Sequence, residues 1–155
     1  MPDMAKPGIS INDIDQVGIV VRDLQKAIDY YSSTLGIGPF RILEQYWPNL
    51  LVRGKVVPTR TKLAFAQAGR LQIELIQNIE GENIYTEFLR DKGEGLHHVA
   101  MCVDDADREI EKWEKNGVKA LQKGHAGGVS WAYFDTQAIG GVIFEIIPKP
   151  RRKQA

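Results

Sequence analysis

A chain of 155 residues is long enough for one compact domain, or for two small modules that share a core. Its 20 basic and 20 acidic side chains cancel, which removes any general attraction to nucleic acid or to a membrane surface. A single cysteine excludes an internal disulfide, and no stretch is apolar and long enough to span a bilayer.

Met1 to Ser10 carries Asp3, Lys6 and two prolines and lacks the apolar core of a signal peptide, so the cytoplasm is the expected location. Asp15 to Val21 is β-branched and reads as a strand. Asp23 stands where a helix N-cap is wanted, Leu24, Ile28, Tyr31 and Leu35 recur at helical spacing, and Gly36 ends the helix. Phe40 to Trp47, Lys62 to Gln67 and Gly69 to Gln77 supply three more strands, with Gly69-Arg70 as the turn between the last two. Asn78 to Gly95 reads as a linker with a helical turn at Tyr85 to Arg90. A second strand, Leu96 to Val103, precedes a helix from Asp105 to about Asn116, stopped by Gly117. Lys119 to Gln122, Ser130 to Asp135 and Val142 to Ile147 are the closing strands. Cys102, inside an apolar run, reads as a buried and inert thiol in a reducing compartment. Arg151, Arg152 and Lys153 read as a solvated basic tail.

The chain repeats itself. With Gln16 set on His98, Gln16-Val17-Gly18-Ile19-Val20-Val21 falls on His98-Val99-Ala100-Met101-Cys102-Val103, Asp23 on Asp105, Ile28 on Ile110 and Tyr31 on Trp113. Later in each half, Leu71-Gln72-Ile73-Glu74-Leu75-Ile76 resembles Val142-Ile143-Phe144-Glu145-Ile146-Ile147. Two separate matches in the same order argue for an internal duplication rather than chance. The expected fold is α+β: two βαβββ modules side by side in an open, curved mixed sheet with helices on its outer face. The expected layout is one domain over 1–155, with modules at about 12–78 and 95–148 and a linker at about 79–94.

Strand alternation then sorts the side chains. Val17, Ile19 and Val21 should lie under the first helix, and Gln16, Gly18 and Val20 in the hollow. His98, Ala100 and Cys102 take the same inward face in the second copy. Glu74 shares its face with Gln72 and Ile76, and Glu145 with Ile143 and Ile147. Four polar groups, two per copy, therefore aim inward from related positions: Gln16, Glu74, His98 and Glu145. A carboxylate between bulky apolar neighbours is costly to bury unless it is paired or bound to a metal. One such glutamate reads best as a buried hydrogen bond; four positions related by the repeat read better as ligands of one divalent ion. Three oxygens and one imidazole suit Mg²⁺, Mn²⁺, Co²⁺, Ni²⁺ or Zn²⁺ without choosing among them.

Four segments carry a family likeness over nearly the whole chain: Ile14 to Val21, Ala27 to Gly36 with its Tyr-Tyr and Leu-Gly, Gly95-Leu96-His97-His98-Val99-Ala100, and Gly140 to Pro148. The sequence resembles the vicinal oxygen chelate (glyoxalase, bleomycin resistance, dioxygenase) superfamily, most of all methylmalonyl-CoA epimerases and glyoxalase I-like proteins. The likeness places the family's ligands at Gln16, Glu74, His98 and Glu145, with His97 turned to the helix side. Gln16 departs from the epimerase pattern, where histidine is usual, and resembles the eukaryotic type of glyoxalase I. The ring-cleaving dioxygenases use two histidines and a carboxylate, and only one histidine stands at a ligand position here.

The resemblance implies an enzyme that fixes two substrate oxygens on its metal and stabilises an enolate while a neighbouring C–H proton leaves. The leading expectation is an epimerase, isomerase or lyase acting on an acyl thioester, such as an acyl-CoA, or on a hemithioacetal, with Glu145 and Glu74 as candidate bases and Glu44 a third. Glyoxalase I chemistry on a glutathione hemithioacetal is the alternative among enzymes. A metal-free binding protein of the antibiotic-resistance kind is the alternative of another class. Arg53, Lys55, Arg60 and Lys62 form a run of four cations that could meet the phosphates of a CoA ester or line a solvated hairpin. His125 lies in a glycine-flanked loop that could close over a ligand. Trp47, Trp131 and Tyr133 are candidates for the hollow or the core. The family likeness favours a homodimer.

Overall fold

The computed structural model describes residues 8–150, so the basic tail at 151–153 lies outside the described residues. Its strands are β1 (Gln16–Val20), β2 (Arg41–Trp47), β3 (Leu51–Val52), β4 (Lys55–Val56), β5 (Thr59–Ala68), β6 (Leu71–Glu80), β7 (Gly95–Val103), β8 (Ala120–Ala126), β9 (Val129–Phe134) and β10 (Ile143–Pro148). The helices are α1 (Leu24–Ser33), α2 (Ile84–Lys92) and α3 (Ala106–Lys115).

All ten strands join one sheet in the order β2-β5-β6-β1-β7-β10-β9-β8-β3-β4. The order reads alike outward from its centre, where β1 and β7 pair antiparallel. Each of these two strands has a parallel neighbour on its other side, β6 for β1 and β10 for β7. Two βαβββ modules therefore meet at the β1–β7 seam and build one open, curved α+β half-barrel. The repeat is also visible in the caps. Asp23 accepts from the backbone N–H of Lys26 at 3.0 Å, and Asp105 from that of Arg108 at 3.0 Å, so matching residues start α1 and α3 in the same way.

α1 and α3 cover the outer face. Val21, Leu24, Ala64 and Leu75 form the core under α1, joined by Ile19 and Tyr31. Met101, Ile110, Trp113, Phe134 and Ile146 form the core under α3, where the Trp113 and Phe134 rings sit 4.8 Å apart. Leu35, expected on the apolar stripe of α1, lies beyond the helix end and is half exposed.

Two elements were not legible. The expected turn in the linker is a full helix, α2, closed by a capping box in which Asn83 accepts from the backbone of Thr86 and the Thr86 hydroxyl accepts from the backbone N–H of Asn83. Its Ile84 and Tyr85 pack on the inward-facing side chains Val20, Ile76, Tyr133 and Ile143, so α2 sits on the hollow side rather than the outer face. The segment read as a cationic loop holds the turn and second strand of the β3–β4 ribbon, turned at Arg53 and Gly54 with φ of 46° and 79°, and then the start of β5. Two successive positive φ values are the hairpin geometry that twists with the sheet. The ribbon pairs with β8 and extends the second module's edge.

Trp113 is 2% exposed and fills the α3 core. Trp113→Ala should lower unfolding free energy by about 3–5 kcal/mol, read from urea denaturation. Tyr30→Ala, at a site 54% exposed, should change it by less than about 0.5 kcal/mol.

Candidate metal centre

The concave face of the sheet encloses a hollow of about 280 Å³. Its floor is the central strands and its walls are β5 and β9. Gln16, Glu74 and Glu145 line it, from β1, β6 and β10, and His98 of β7 is fully buried behind them. Glu74, His98 and Glu145 each place a ligand atom within 4.8 Å of the others. Gln16 joins them, with its Oε1 3.2 Å from His98 Nε2. The four expected side chains thus converge on one point, two from each module.

The hydrogen-bond account at that point does not close. His98 Nε2 faces Gln16 Oε1 at 3.2 Å, Glu74 Oε2 at 3.3 Å and Glu145 Oε2 at 3.0 Å. One N–H cannot serve three acceptors, and both glutamate oxygens are buried without a hydrogen bond. Burial works against charge on His98, but Glu145 and Glu74 outweigh it and lift the imidazole to about 9. Burial likewise raises the Glu145 carboxyl above its ordinary range, against the pull of His98. Two buried carboxylates and one imidazole leave a deficit of positive charge, which a divalent cation fits.

Gln16 is held with its oxygen toward this point because its Nε2 donates to Gln72 Oε1 at 2.8 Å. His97 supports from behind. β1 and β7 are out of step by one residue after Gly18, which opposes His98 while Ile19 opposes Leu96. The extra residue, His97, therefore leaves the alternation. It packs on Tyr85 and Phe88 of α2 and on Tyr133, not against the outer helices, which corrects the side expected for it. His97 Nδ1 lies 3.1 Å from His98 Nδ1. When His98 presents a bare Nε2, its Nδ1–H donates to His97 Nδ1, which leaves the proton of neutral His97 on Nε2. Burial, then the charge of His98, hold His97 neutral, depressed to about 3.

The remaining lining is apolar and aromatic. Trp47 and Trp131 meet at 4.5 Å between ring centroids, and the Trp131 ring lies so close to Gly124 that a Cβ there would approach it to 1.9 Å. The Tyr85 and Tyr133 hydroxyls are hydrogen-bonded at 2.7 Å, and burial, then the nearby carboxylates, raise both phenols well above 10. Cys102 borders the hollow, half-buried, its thiol pushed up to about 11 by burial and then by Asp15 and Glu145.

The expected substrate contacts fall elsewhere. Thr59 and Thr61 take the inward positions of β5, so Arg60 and Lys62 alternate outward. Arg60 pairs there with Glu44 and Glu80 and covers the Tyr46 ring, which also removes Glu44 from the hollow. Arg53 and Lys55 sit on the β3–β4 ribbon, where Arg53 is paired with Glu87 of α2. His125 lies on β8, exposed and bonded to the Ser130 hydroxyl, in a separate surface groove. None of these five residues lines the hollow. Arg41, Gln72, Tyr85 and Gln122 do, and sequence reasoning passed over them as site residues.

A family model described as the glyoxalase/bleomycin resistance protein/dioxygenase superfamily matches residues 15–133. The chain belongs to that superfamily. It is 25% identical to the uncharacterized protein YqjC of Bacillus subtilis (strain 168) over 139 residues, 88% of this chain and 91% of that one. It is 24% identical to the mitochondrial methylmalonyl-CoA epimerase of Mus musculus over 149 residues, 92% of this chain and 76% of that one. The crystal structure of methylmalonyl-CoA epimerase from Mycobacterium tuberculosis shares the fold, with a TM-score of 0.65 at 23% identity over 89% of this chain and 88% of that one. The superfamily typically binds a divalent metal, and Glu74, His98 and Glu145 are a candidate site for one. No helix of the described residues is long and apolar enough to cross a membrane.

A Cβ at Gly18 would fall 1.9 Å from His98 Cε1. Gly18→Ala should therefore displace the imidazole, shift its ring signals in NMR spectra, and cost about 1–3 kcal/mol of stability as an overpacked site.

Proposed function

We propose that the protein is a divalent-metal-dependent enzyme that moves a proton at a carbon next to a carbonyl, as an epimerase of the methylmalonyl-CoA epimerase kind or a related isomerase or lyase. The observation that carries this reading is the pair of buried glutamate oxygens left without hydrogen bonds around His98 Nε2. Gln16, Glu74, His98 and Glu145 would hold the ion through three oxygens and one nitrogen, a set open to Mg²⁺, Mn²⁺, Co²⁺, Ni²⁺ or Zn²⁺. When bound, it would supply Lewis-acid stabilisation of the charge that develops on a substrate carbonyl oxygen.

The chain's own groups do the rest. Trp47, Trp131 and Leu63 give the hollow an apolar wall against which a substrate can pack. Gln72 fixes the Gln16 amide, and His97 orients the His98 ring. Glu145 is the base we assign, with Glu74 as the second carboxylate; burial shifts Glu145 in the direction that makes a carboxylate a stronger base. The Tyr85–Tyr133 pair stays protonated beside them.

A second reading, glyoxalase I-type chemistry on a glutathione hemithioacetal, is favoured by the inward amide oxygen of Gln16 at the first-strand position. Both readings separate from a non-catalytic binding protein by metal content. A homodimer belongs to the same proposal.

Purified chain should take up one divalent ion per molecule in a calorimetric titration, and His98→Ala should abolish the uptake. Glu145→Gln should keep the ion while slowing proton exchange by roughly 10²–10⁴-fold, followed as deuterium washed from solvent into methylmalonyl-CoA, other acyl-CoA esters or the hemithioacetal. A chain that binds no divalent ion overturns the reading. So does a loaded chain that labels none of these compounds.

A further inference from the structure

Resting on the chelating centre proposed above, we propose that the substrate carries a carboxylate a few bonds beyond its chelating oxygens, and that Arg41 receives it. Among the described residues lining the hollow, Arg41 is the one cation. It stands at the start of β2, and the register places it in a single cross-strand row with the centre. Arg41 faces Phe65, Phe65 faces Glu74, Glu74 faces Gly18, and Gly18 faces His98. The Arg41 guanidinium carbon lies 5.0 Å from the centroid of the Phe65 ring, the strand between it and Glu74.

Two strand spacings of about 4.8 Å set the Arg41 and Glu74 backbones roughly 10 Å apart. The guanidinium, folded over Phe65, covers part of that span. A group that reaches it from the centre is separated from the chelating atoms by only a few bonds. The phosphates of a CoA ester do not qualify, because they lie at the far end of the pantetheine arm. The wall between is apolar or hydroxylic, with Leu63, Phe65 and Thr61, so a charged group finds its partner only at the end of the row. Phe65 holds the guanidinium plane by a cation–π contact and leaves its N–H edge for a bidentate carboxylate. Arg41 is exposed on the sheet's edge strand and forms no ion pair among the described residues, unlike Arg53 and Arg60.

The test uses full-length chain loaded with Co²⁺, whose visible spectrum changes when two oxygens chelate the ion. The probes are 2-oxoglutarate and 2-oxobutyrate, which share the 2-oxo acid head and differ in the distal carboxylate. We expect 2-oxoglutarate to bind about tenfold tighter or more, the scale of one charge-assisted contact, and Arg41→Gln to erase the preference while Arg41→Lys restores part of it. Equal affinities for the two probes overturn the role of Arg41 and leave the chelating centre standing. No spectral response to either probe overturns the centre itself, and the inference with it. Free CoA, which has phosphates but no acyl group, should compete to the same degree with the native chain and with Arg41→Gln; competition that Arg41→Gln relieves would assign Arg41 to phosphate and overturn the carboxylate.

Discussion

Everything in this molecule is arranged around one nitrogen that has more acceptors than it can serve. Gln16, Glu74 and Glu145 all point oxygen at His98 Nε2, and all four side chains are buried at the bottom of the hollow. Isolated buried carboxylates are among the most unfavourable groups a fold can carry. The chain tolerates them because each is seated on a central strand whose flanking residues are locked into cores on both sheet faces. Leu75 and Ile76 next to Glu74, and Ile146 next to Glu145, are fully buried. The favourable packing of those neighbours holds the carboxylates in place, and their charge is left for a cation to balance.

The second constraint is the seam. Because β1 and β7 come from different modules, each half brings only one pair, Gln16 with Glu74 and His98 with Glu145, and the set of four is complete only when the two halves dock. The slip after Gly18 serves this meeting. Gly18 has no side chain, so the His98 ring lies over its backbone, and the extra residue turns His97 toward α2. Second-layer support for the imidazole thus comes from an irregularity in the ladder, a common use of bulges near functional sites.

How far the sequence could be read follows from the same features. Strand alternation placed Gln16, Glu74, His98 and Glu145 correctly, because each sits in a regular stretch with apolar neighbours on the opposite face. Alternation failed at His97 because a bulge is a local break in the period and leaves no signature in residue type. It was not carried back to Arg60, since the strand was read as starting at Lys62 and the residues before it as a hairpin loop. Taken as a strand, the run would have put Thr59 and Thr61 inward. Arg53 hid the β3–β4 hairpin, because arginine seldom occupies a positive φ and no Asn-Gly or Asp-Gly pair marked the turn. Arg41 was missed because β2, an edge strand with polar residues on both faces, gives its two sides no apolar contrast.

The near-symmetry of the two modules is broken in a specific place. Glu74 and Glu145 are equivalent by the repeat and identical in kind, but their partners Gln16 and His98 are not. A flat, three-coordinate carbon lying across the seam meets a carboxylate of either half, yet its two faces see unlike surroundings, an amide braced by Gln72 and an imidazole braced by His97. Such a pocket is asymmetric at its centre although its scaffold is almost two-fold. If the proposed proton transfer takes place here, the two glutamates would approach such a carbon from unlike settings, and the supporting residues Gln72 and His97 would bear on which of them acts.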